Sequence, residues 1–257
     1  MVQTLQGAAL ENRVAYLNEL IAGAPTALTE DFQARFDMSW IYHDSVLEGV
    51  VYTQDELTAA LFNDGVTDSA MMPIYDEIRN HQTALGMIRE MAERKRFQVT
   101  LDVIKKLYAQ LAPEELEGKS PPKYRKDIPV HRLYFHEIAA PDKISYRMRQ
   151  IVQWMNDPET KRGMHPVRLA AKAHYQMLHV YPFPRHSGKV ARLVMNLILL
   201  RNGFPPVVIH ATERQRYYDA LKTGDNATAV LIQEALAASI ESTIRFYEEA
   251  AAQVTSA

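Results

Sequence analysis

Apolar residues recur every three or four positions along most of this chain, which is the spacing of one face of an α-helix. The spacing predicts about ten helices, and hence an all-α fold class in which neighbouring helices pack at shallow angles. The predicted helices cover residues 5–22, 30–48, 54–62, 69–96, 100–111 and 226–252, with others opened by Pro141, His165, Ser187 and Thr212.

Capping residues place the starts of several of these helices. A hydroxyl side chain at the N-cap accepts a hydrogen bond from an unpaired N–H group of the first turn. Thr29 and Thr100 stand at predicted N-caps, and Thr53 with Glu56 three residues later has the spacing of a capping box. We therefore expect helices to begin directly after these three threonines.

Residues 112–137 interrupt the helical pattern. A polar loop with three prolines comes first, and from Lys123 to His136 polar and apolar residues partly alternate. Alternation with a period of two is typical of an extended strand, so residues from about 120 to 137 are predicted to form one short β-hairpin. An ordinary exposed loop is the alternative.

The stretch from His174 to Asn196 contains the strongest candidate chemistry. The run Y-P-F-P ends one helix, because proline lacks an N–H group and clashes with the preceding turn, and Ser187 is the predicted N-cap of the next helix. A helix N-terminus attracts anions, and basic residues there are unfavourable for the helix itself. The loop is therefore a candidate site for a phosphate or carboxylate, with solvation or pairing of its basic groups as the alternative. The candidate residues are Arg185, His186, Ser187, Gly188, Lys189 and Arg192.

Composition narrows the function classes. The chain has 257 residues, 47% of them hydrophobic, which suits one large domain or a domain with a helical extension. A net charge of −2 argues against a general nucleic-acid binder, which needs a basic surplus. The absence of cysteine excludes disulfides and thiolate chemistry, and no apolar run is long enough to cross a membrane. With no signal-peptide pattern, the chain is predicted to be cytoplasmic, without nucleic-acid or membrane partners.

The stretch from His174 to Asn196 resembles the signature of the Fic (Fido) family, H-P-F-x-D/E-G-N-G-R-x-x-R-L, preceded by an alanine-rich helix. The resemblance covers roughly residues 40–245 and implies a Fic-type helical domain that binds ATP or another nucleotide. The residues that stand where the family has them are Pro182, Phe183, Gly188, Arg192, Leu193 and Asn196.

Three departures from that signature bear on activity. Tyr181 stands where the family has its catalytic histidine, Arg185 where it has the acidic residue that holds magnesium, and Lys189 where it has the first arginine. A tyrosine, whose ordinary pKa is about 10, is a poor general base near neutral pH. An arginine at the metal position repels a divalent cation. The resemblance therefore implies an impaired Tyr181, with His186 as a weaker candidate for its role, and no Mg²⁺ or other metal.

The heptapeptide D-S-V-L-E-G-V resembles the family's inhibitory motif, S-S-x-x-E-G-N. Ser45, Glu48 and Gly49 match that motif, and Asp44 replaces its first serine. Its place ahead of the signature resembles the class with an N-terminal inhibitory helix, in which the glutamate pairs with the second signature arginine, here Arg192. The alternative is that Glu48 is an ordinary surface residue near a helix end.

Together these features predict an N-terminal helical extension (1–36) and a Fic-like domain (37–257). That domain would contain an inhibitory helix at about 37–49, a flap at about 120–137 and a signature loop at 181–192. The family's flap lays a segment of a target beside the site, so an unidentified protein is the implied partner.

Three functions stay open at this point. The first is a degenerate family member that binds a nucleotide or other phosphorylated ligand without efficient AMP transfer. The second is an adenylyltransferase (AMPylator) of altered chemistry that Glu48 inhibits. The third is a structural interaction protein with a vestigial loop. A homodimer is left open as well.

Overall fold

The computed structural model describes residues 8–62, 69–116, 122–129 and 136–255, which form eleven α-helices. Among them, no helix combines the length and apolarity that a membrane span requires. Short 3₁₀ turns lie at Pro113–Glu115 and Ala211–Glu213. The helices are α1 (Ala8–Gly23), α2 (Thr26–Leu47), α3 (Gln54–Phe62), α4 (Met72–Glu93), α5 (Leu101–Leu111), α6 (Pro141–Asn156), α7 (Pro158–Gly163), α8 (Pro166–Val180), α9 (Ser187–Arg201), α10 (Arg214–Thr223) and α11 (Asp225–Thr255).

Helix α9 lies at the centre of the fold. Every residue from Ser187 to Leu199 is buried, and a helix buried on all sides forms the core on which other helices pack. Helices α4, α5 and α8 pack against it, while α11 packs against α1, α8 and α10. Basic side chains near the start of α9 therefore meet neighbouring helices rather than bulk water.

The all-α prediction is confirmed, with one helix more than the pattern indicates. Asp157-Pro158 looks like a helix end in the sequence, but it also begins the short helix α7. The Asp157 carboxylate accepts a hydrogen bond from the Thr160 backbone N–H group at 2.8 Å, which caps the new helix. Helix α2 runs without a break through residues 36 and 37, so the predicted division of the chain there falls inside a helix and stays a prediction.

Of the three threonines predicted to cap helices, two are confirmed and one is wrong. Thr53 and Glu56 form the reciprocal capping box, at 2.7 and 3.2 Å, and the Thr100 hydroxyl accepts from the Val103 N–H group at 3.2 Å. Thr29 does not cap α2. That helix begins four residues earlier than predicted, after Pro25, and the Thr29 hydroxyl donates to the Thr26 carbonyl at 2.7 Å.

The predicted β-hairpin is not seen. Residues 122–129 and 136–140 have no strand, and the remaining part of the predicted flap, 120–121 and 130–135, lies outside the described residues. The backbone of the described part bonds elsewhere: Arg125 N–H donates to the Pro182 carbonyl at 2.9 Å, and Ala139 N–H donates to the His179 carbonyl at 2.8 Å. This segment is therefore attached to the end of α8 and the loop that follows it.

Candidate anion-binding site

The loop between α8 and α9 is bounded by two residues in the left-handed backbone region. Tyr181 ends α8 with φ 48°, and its N–H group donates to the Met177 carbonyl at 2.8 Å. His186 precedes α9 with φ 53°. A positive φ is uncommon for residues other than glycine, so the surrounding contacts must hold both turns in place.

Ser187 stabilises this loop rather than capping α9, so the predicted N-cap is wrong by one residue. Its hydroxyl accepts from the Phe183 N–H group at 2.8 Å and donates to the Phe183 carbonyl at 3.0 Å. The N-cap is His186, which caps through no side-chain hydrogen bond. The Phe183 ring stacks on Tyr108 with ring centroids 4.0 Å apart, which fixes the loop from the other side.

Arg125 is a second anchor of the loop, and sequence reasoning assigned it no role. Its buried guanidinium donates to the carbonyls of Tyr181 at 2.6 Å and Val180 at 3.1 Å, and also to that of Ala139. The carbonyls of Val180 and Tyr181 belong to the end of α8, where helical partners are missing. The available signal was the position of Arg125 within the predicted flap. Arg125 thus joins that segment to the backbone of Tyr181.

Tyr181 is almost wholly buried, with 1% of its surface exposed. It belongs to the apolar core that also contains Val180 and Phe183. A side chain at this depth is not presented to a ligand that approaches from solvent.

Two other loop residues differ sharply in their surroundings. Arg185 extends over the surface, where Nη1 bonds Glu114 Oε1 at 2.7 Å and about half of each side chain is exposed. His186 is half-buried, and its Nε2 atom has no hydrogen-bond partner within the described residues. Burial, with the nearby charge of Lys189, lowers the pKa of His186 to about 4. His186 is therefore neutral at pH 7 and able to accept a proton, although weakly.

Lys189 points into the fold and is 1% exposed. Its ammonium group bonds Glu77 Oε1 of α4 at 3.1 Å. Burial opposes ionisation of Glu77, but the charge of Lys189 outweighs it and lowers the Glu77 pKa. Sequence reasoning missed Glu77. The signal was its spacing, since Glu77 and His81 lie one turn apart on α4 and both face the polar centre.

Arg192 is the centre of a buried ionic cluster. Its Nε atom bonds Asp44 Oδ1, its Nη2 atom bonds Glu48 Oε1 at 2.8 Å, and its Nη1 atom reaches the Tyr217 hydroxyl at 3.4 Å. Burial would lower the pKa of Arg192, but the two carboxylates raise it well above its ordinary value. Asp44 was noted in the sequence only as a replacement for a serine, yet it lies deeper than Glu48.

Glu48 lies directly over the first turn of α9. A Cβ atom built on Gly188 would overlap Glu48 Oε1 and would lie 3.0 Å from Arg192 Nη1. Only glycine leaves room for the carboxylate to approach so closely. The start of α9 therefore already holds an anion, which is supplied by the chain itself.

The end of α2 is built to hold Glu48 in this place. Gly49, with φ 88°, donates to the Val46 carbonyl at 3.0 Å, and Val50 donates to the Ser45 carbonyl at 3.0 Å. These are the two bonds of a Schellman motif, in which a left-handed glycine ends the helix. The Leu47 carbonyl also accepts from the Tyr218 hydroxyl at 2.8 Å and from Arg214 Nε at 3.3 Å.

Buried histidines complete the surroundings of the cluster. His174 Nε2 lies 2.8 Å from the Tyr217 hydroxyl, and His81 Nε2 lies 3.2 Å from Asp44 Oδ2. Burial lowers the pKa of His174 to about 3, with a further contribution from Arg192, and burial also lowers that of His81. Both rings are therefore neutral and add no positive charge. Asn196, further along α9, holds the backbone of Val207 through two hydrogen bonds of 2.7 and 3.0 Å.

The carboxylates around the start of α9 are already paired with cationic side chains. Within the described ranges, no group of three or more histidine, aspartate or glutamate side chains is placed to hold a metal. The loop itself has no carboxylate, and Glu48, Glu77 and Asp44 each already bond a cationic side chain.

Comparison with known proteins agrees with this architecture. Residues 98–199 match the model of the Fic/DOC family. The protein adenylyltransferase Fic of Drosophila virilis is 28% identical over 209 residues, which is 80% of this chain and 42% of that protein. The chain thus spans about two fifths of the length of the curated relatives that it matches.

Solved structures share the fold. A Fic domain containing signaling protein from Bacteroides thetaiotaomicron has a TM-score of 0.79 at 21% identity, over 93% of this chain and 97% of that one. Fic-1 from C. elegans has a TM-score of 0.76 at 24% identity, over 93% of this chain and 70% of that one. The α8–α9 loop lies within residues 98–199, the part of the chain that matches the Fic/DOC family model.

Proposed function

We propose that this chain is a degenerate Fic-family protein, which binds a nucleotide or another phosphorylated ligand at the start of α9 and does not transfer AMP efficiently. Fic-family adenylyltransferases use ATP, and the relatives found here are named protein adenylyltransferases. The proposed function shares the nucleotide ligand class of these relatives but not their efficient AMP transfer.

The contact of Glu48 with Gly188 and Arg192 is the observation on which this proposal rests. A carboxylate at a helix N-terminus beside a guanidinium uses the same interactions as a phosphate oxygen would. Glu48 follows the last residue of α2, and its side chain is 15% exposed, so it can leave without disturbing a helix. An external anion that replaces it inherits Arg192, Gly188 and the first turn of α9.

Weak transfer follows from the position of Tyr181. General-base assistance is worth roughly 10²- to 10⁴-fold in rate, and it requires a base within hydrogen-bond reach of the attacking hydroxyl. Tyr181 is buried, and its ordinary pKa of about 10 keeps a tyrosine protonated near neutral pH. Arg185, at the family's metal position, bonds Glu114 on the surface.

The binding test compares Glu48→Gly with the unmodified chain by titration calorimetry, using AMP, ADP, ATP and inorganic phosphate, each with and without a chelator. We expect at least one ligand to bind about tenfold or more tightly once the carboxylate is gone, and the chelator to have no effect. Glu93→Gly, at the exposed end of α4, is the matched control. Unchanged affinity for every ligand, or binding that requires magnesium, would contradict the proposal.

A second candidate function is favoured by one observation. The Nε2 atom of His186 is buried beside Lys189 and has no hydrogen-bond partner among the described residues, so an adenylyltransferase of altered chemistry could use it as the base for a protein hydroxyl. Incubating the Glu48→Gly chain with labelled ATP and cell extract separates the two functions. We expect no labelling from it, and recovery only when Tyr181→His and Arg185→Asp are added together. Labelling that is lost in His186→Asn would favour the second function.

A further inference from the structure

The two cations at the start of α9 have partners other than Glu48. Lys189 bonds Glu77 from α4, and Arg192 bonds Asp44 from within α2. Removal of Glu48 therefore leaves two positive and two negative side chains around the site. The histidines add nothing, because His81, His174 and His186 all have pKa values below their usual range.

Asp44 and Glu48 bond the same arginine but differ in how readily they can leave it. The Asp44 side chain is 3% exposed, compared with 15% for Glu48. Asp44 lies inside α2, and its backbone carbonyl also accepts from Arg192 Nη2 at 3.3 Å. His81 lies against its other carboxylate oxygen. A ligand can therefore displace Glu48, whereas Asp44 stays with Arg192.

We propose that Asp44 and Glu77 are specificity-determining residues, which neutralise Arg192 and Lys189 from behind and so limit the ligand to one phosphate group, as in a nucleoside monophosphate. This inference rests on the proposed function. With Glu48 displaced, the positive side-chain charges around the site equal the negative ones. The helix N-terminus then adds about half a unit of positive charge. One phosphate group carries about −1.5 to −2 charge. It is bound by the positive helix N-terminus and by the guanidinium donors of Arg192.

Each further phosphate group of a di- or triphosphate would enter a site with no unpaired cation among the described residues. Arg185 is turned away towards Glu114, and Lys189 and Arg192 are already paired with carboxylates. Like charges a few ångströms apart in a partly buried site repel each other strongly. Nucleoside triphosphates are thus selected against by electrostatics alone.

The test measures AMP and ATP binding by calorimetry, with chelator present, for Glu48→Gly alone and combined with Glu77→Gln or with Asp44→Asn. We expect Glu48→Gly to bind AMP at least as tightly as ATP. Neutralising Glu77 or Asp44 should then raise ATP affinity about tenfold more than AMP affinity. Glu77 is one-quarter exposed, so Glu77→Gln tests the idea even if Asp44→Asn does not fold.

The outcomes are distinct. Tenfold preference of the Glu48→Gly chain for ATP over AMP overturns the charge restriction while leaving the proposed function standing. An equal gain for AMP and ATP in the neutralised variants also overturns it. If no variant binds any nucleotide or inorganic phosphate, the proposed function fails and the inference falls with it.

Discussion

Helix α2 contains two buried aspartates, two turns apart, and each bonds an arginine from a central helix. Asp37 receives both Nη atoms of Arg89, one at 2.9 Å, and the amide of Gln33 at 2.8 Å. The donors of Arg89 and Gln33 thus all bond the single carboxylate of Asp37. Asp44 instead shares Arg192 with Glu48 and Tyr217.

The difference distinguishes a structural ion pair from a binding site. The Arg89–Asp37 pair is bidentate, and the Arg89 side chain is 25% exposed. The pair joins α2 to α4 and has no second carboxylate that a ligand could replace. Arg192 is 3% exposed and divides its donors among three groups, of which one lies at the edge of the site. A shared cation can change one partner while the others hold it in position.

The largest difference in stability between the two ion pairs is expected when each arginine is removed. Arg192→Leu leaves Asp44 and Glu48 buried without a counterion, which typically costs about 3–5 kcal/mol of unfolding free energy. Arg89→Leu leaves the single Asp37 carboxylate with the Gln33 amide as a remaining donor and should cost about 1–2 kcal/mol. Urea unfolding monitored by circular dichroism gives both values. Equal losses would show that the Arg192 cluster is no more demanding than an ordinary ion pair.

The next largest effect is expected from acid, which should lower the folding stability through the buried histidines. Burial lowers the pKa values of His43 to about 4, His174 to about 3 and His186 to about 4. The unfolded chain takes up these protons as the pH falls below about 6.5, whereas the folded chain resists, so stability is full above that value and is lost on going down to about pH 4.

Melting temperatures measured from pH 7 to pH 4.5 check this dependence. His174→Gln should flatten the curve, because it removes one titrating group beside Tyr217. Asp37→Asn should shift the whole curve without changing its slope between pH 6.5 and 5. A flat curve in the unmodified chain would contradict the assigned histidine states.

A smaller effect should come from Gly188→Ala. The added methyl group overlaps the Glu48 carboxylate, and crowding of this kind costs about 1–3 kcal/mol, offset in part by the better helix propensity of alanine. In a Glu48→Gly background the loss should shrink by at least half. The coupling energy from the double-mutant cycle measures the contact directly. Additive effects would mean that Glu48 does not lie on Gly188 in solution.

Local features of this fold were predictable, and long-range ones were not. The caps at Thr53 and Thr100 need only neighbouring residues, and both are confirmed. The Thr29 cap was wrong because Pro25 can start the helix one turn earlier. Ser187 has the right chemistry for a cap, but its hydroxyl is taken by Phe183 across the loop.

The site partners needed information that spacing does not contain. Glu48 was assigned to Arg192 through a resemblance, whereas Asp44 and Glu77 stand 148 and 112 residues from the cations that they bond. The burial of Tyr181 depends on a left-handed turn that Arg125 supports from another segment. No local pattern reports such a turn in a residue other than glycine.

The Schellman end of α2 also has a consequence for how the protein is made. The Leu47 carbonyl can bond Tyr218 only after 171 more residues have been synthesised, and Glu48 can bond Arg192 only after 144 more. At a synthesis rate of about 5–20 residues per second, α2 spends many seconds outside the ribosome with its carboxylates hydrated. The carboxylates of Asp44 and Glu48 find their cation only when α9 docks. The ionic centre is therefore assembled late, and a chain stalled before α9 would display Glu48 to solvent.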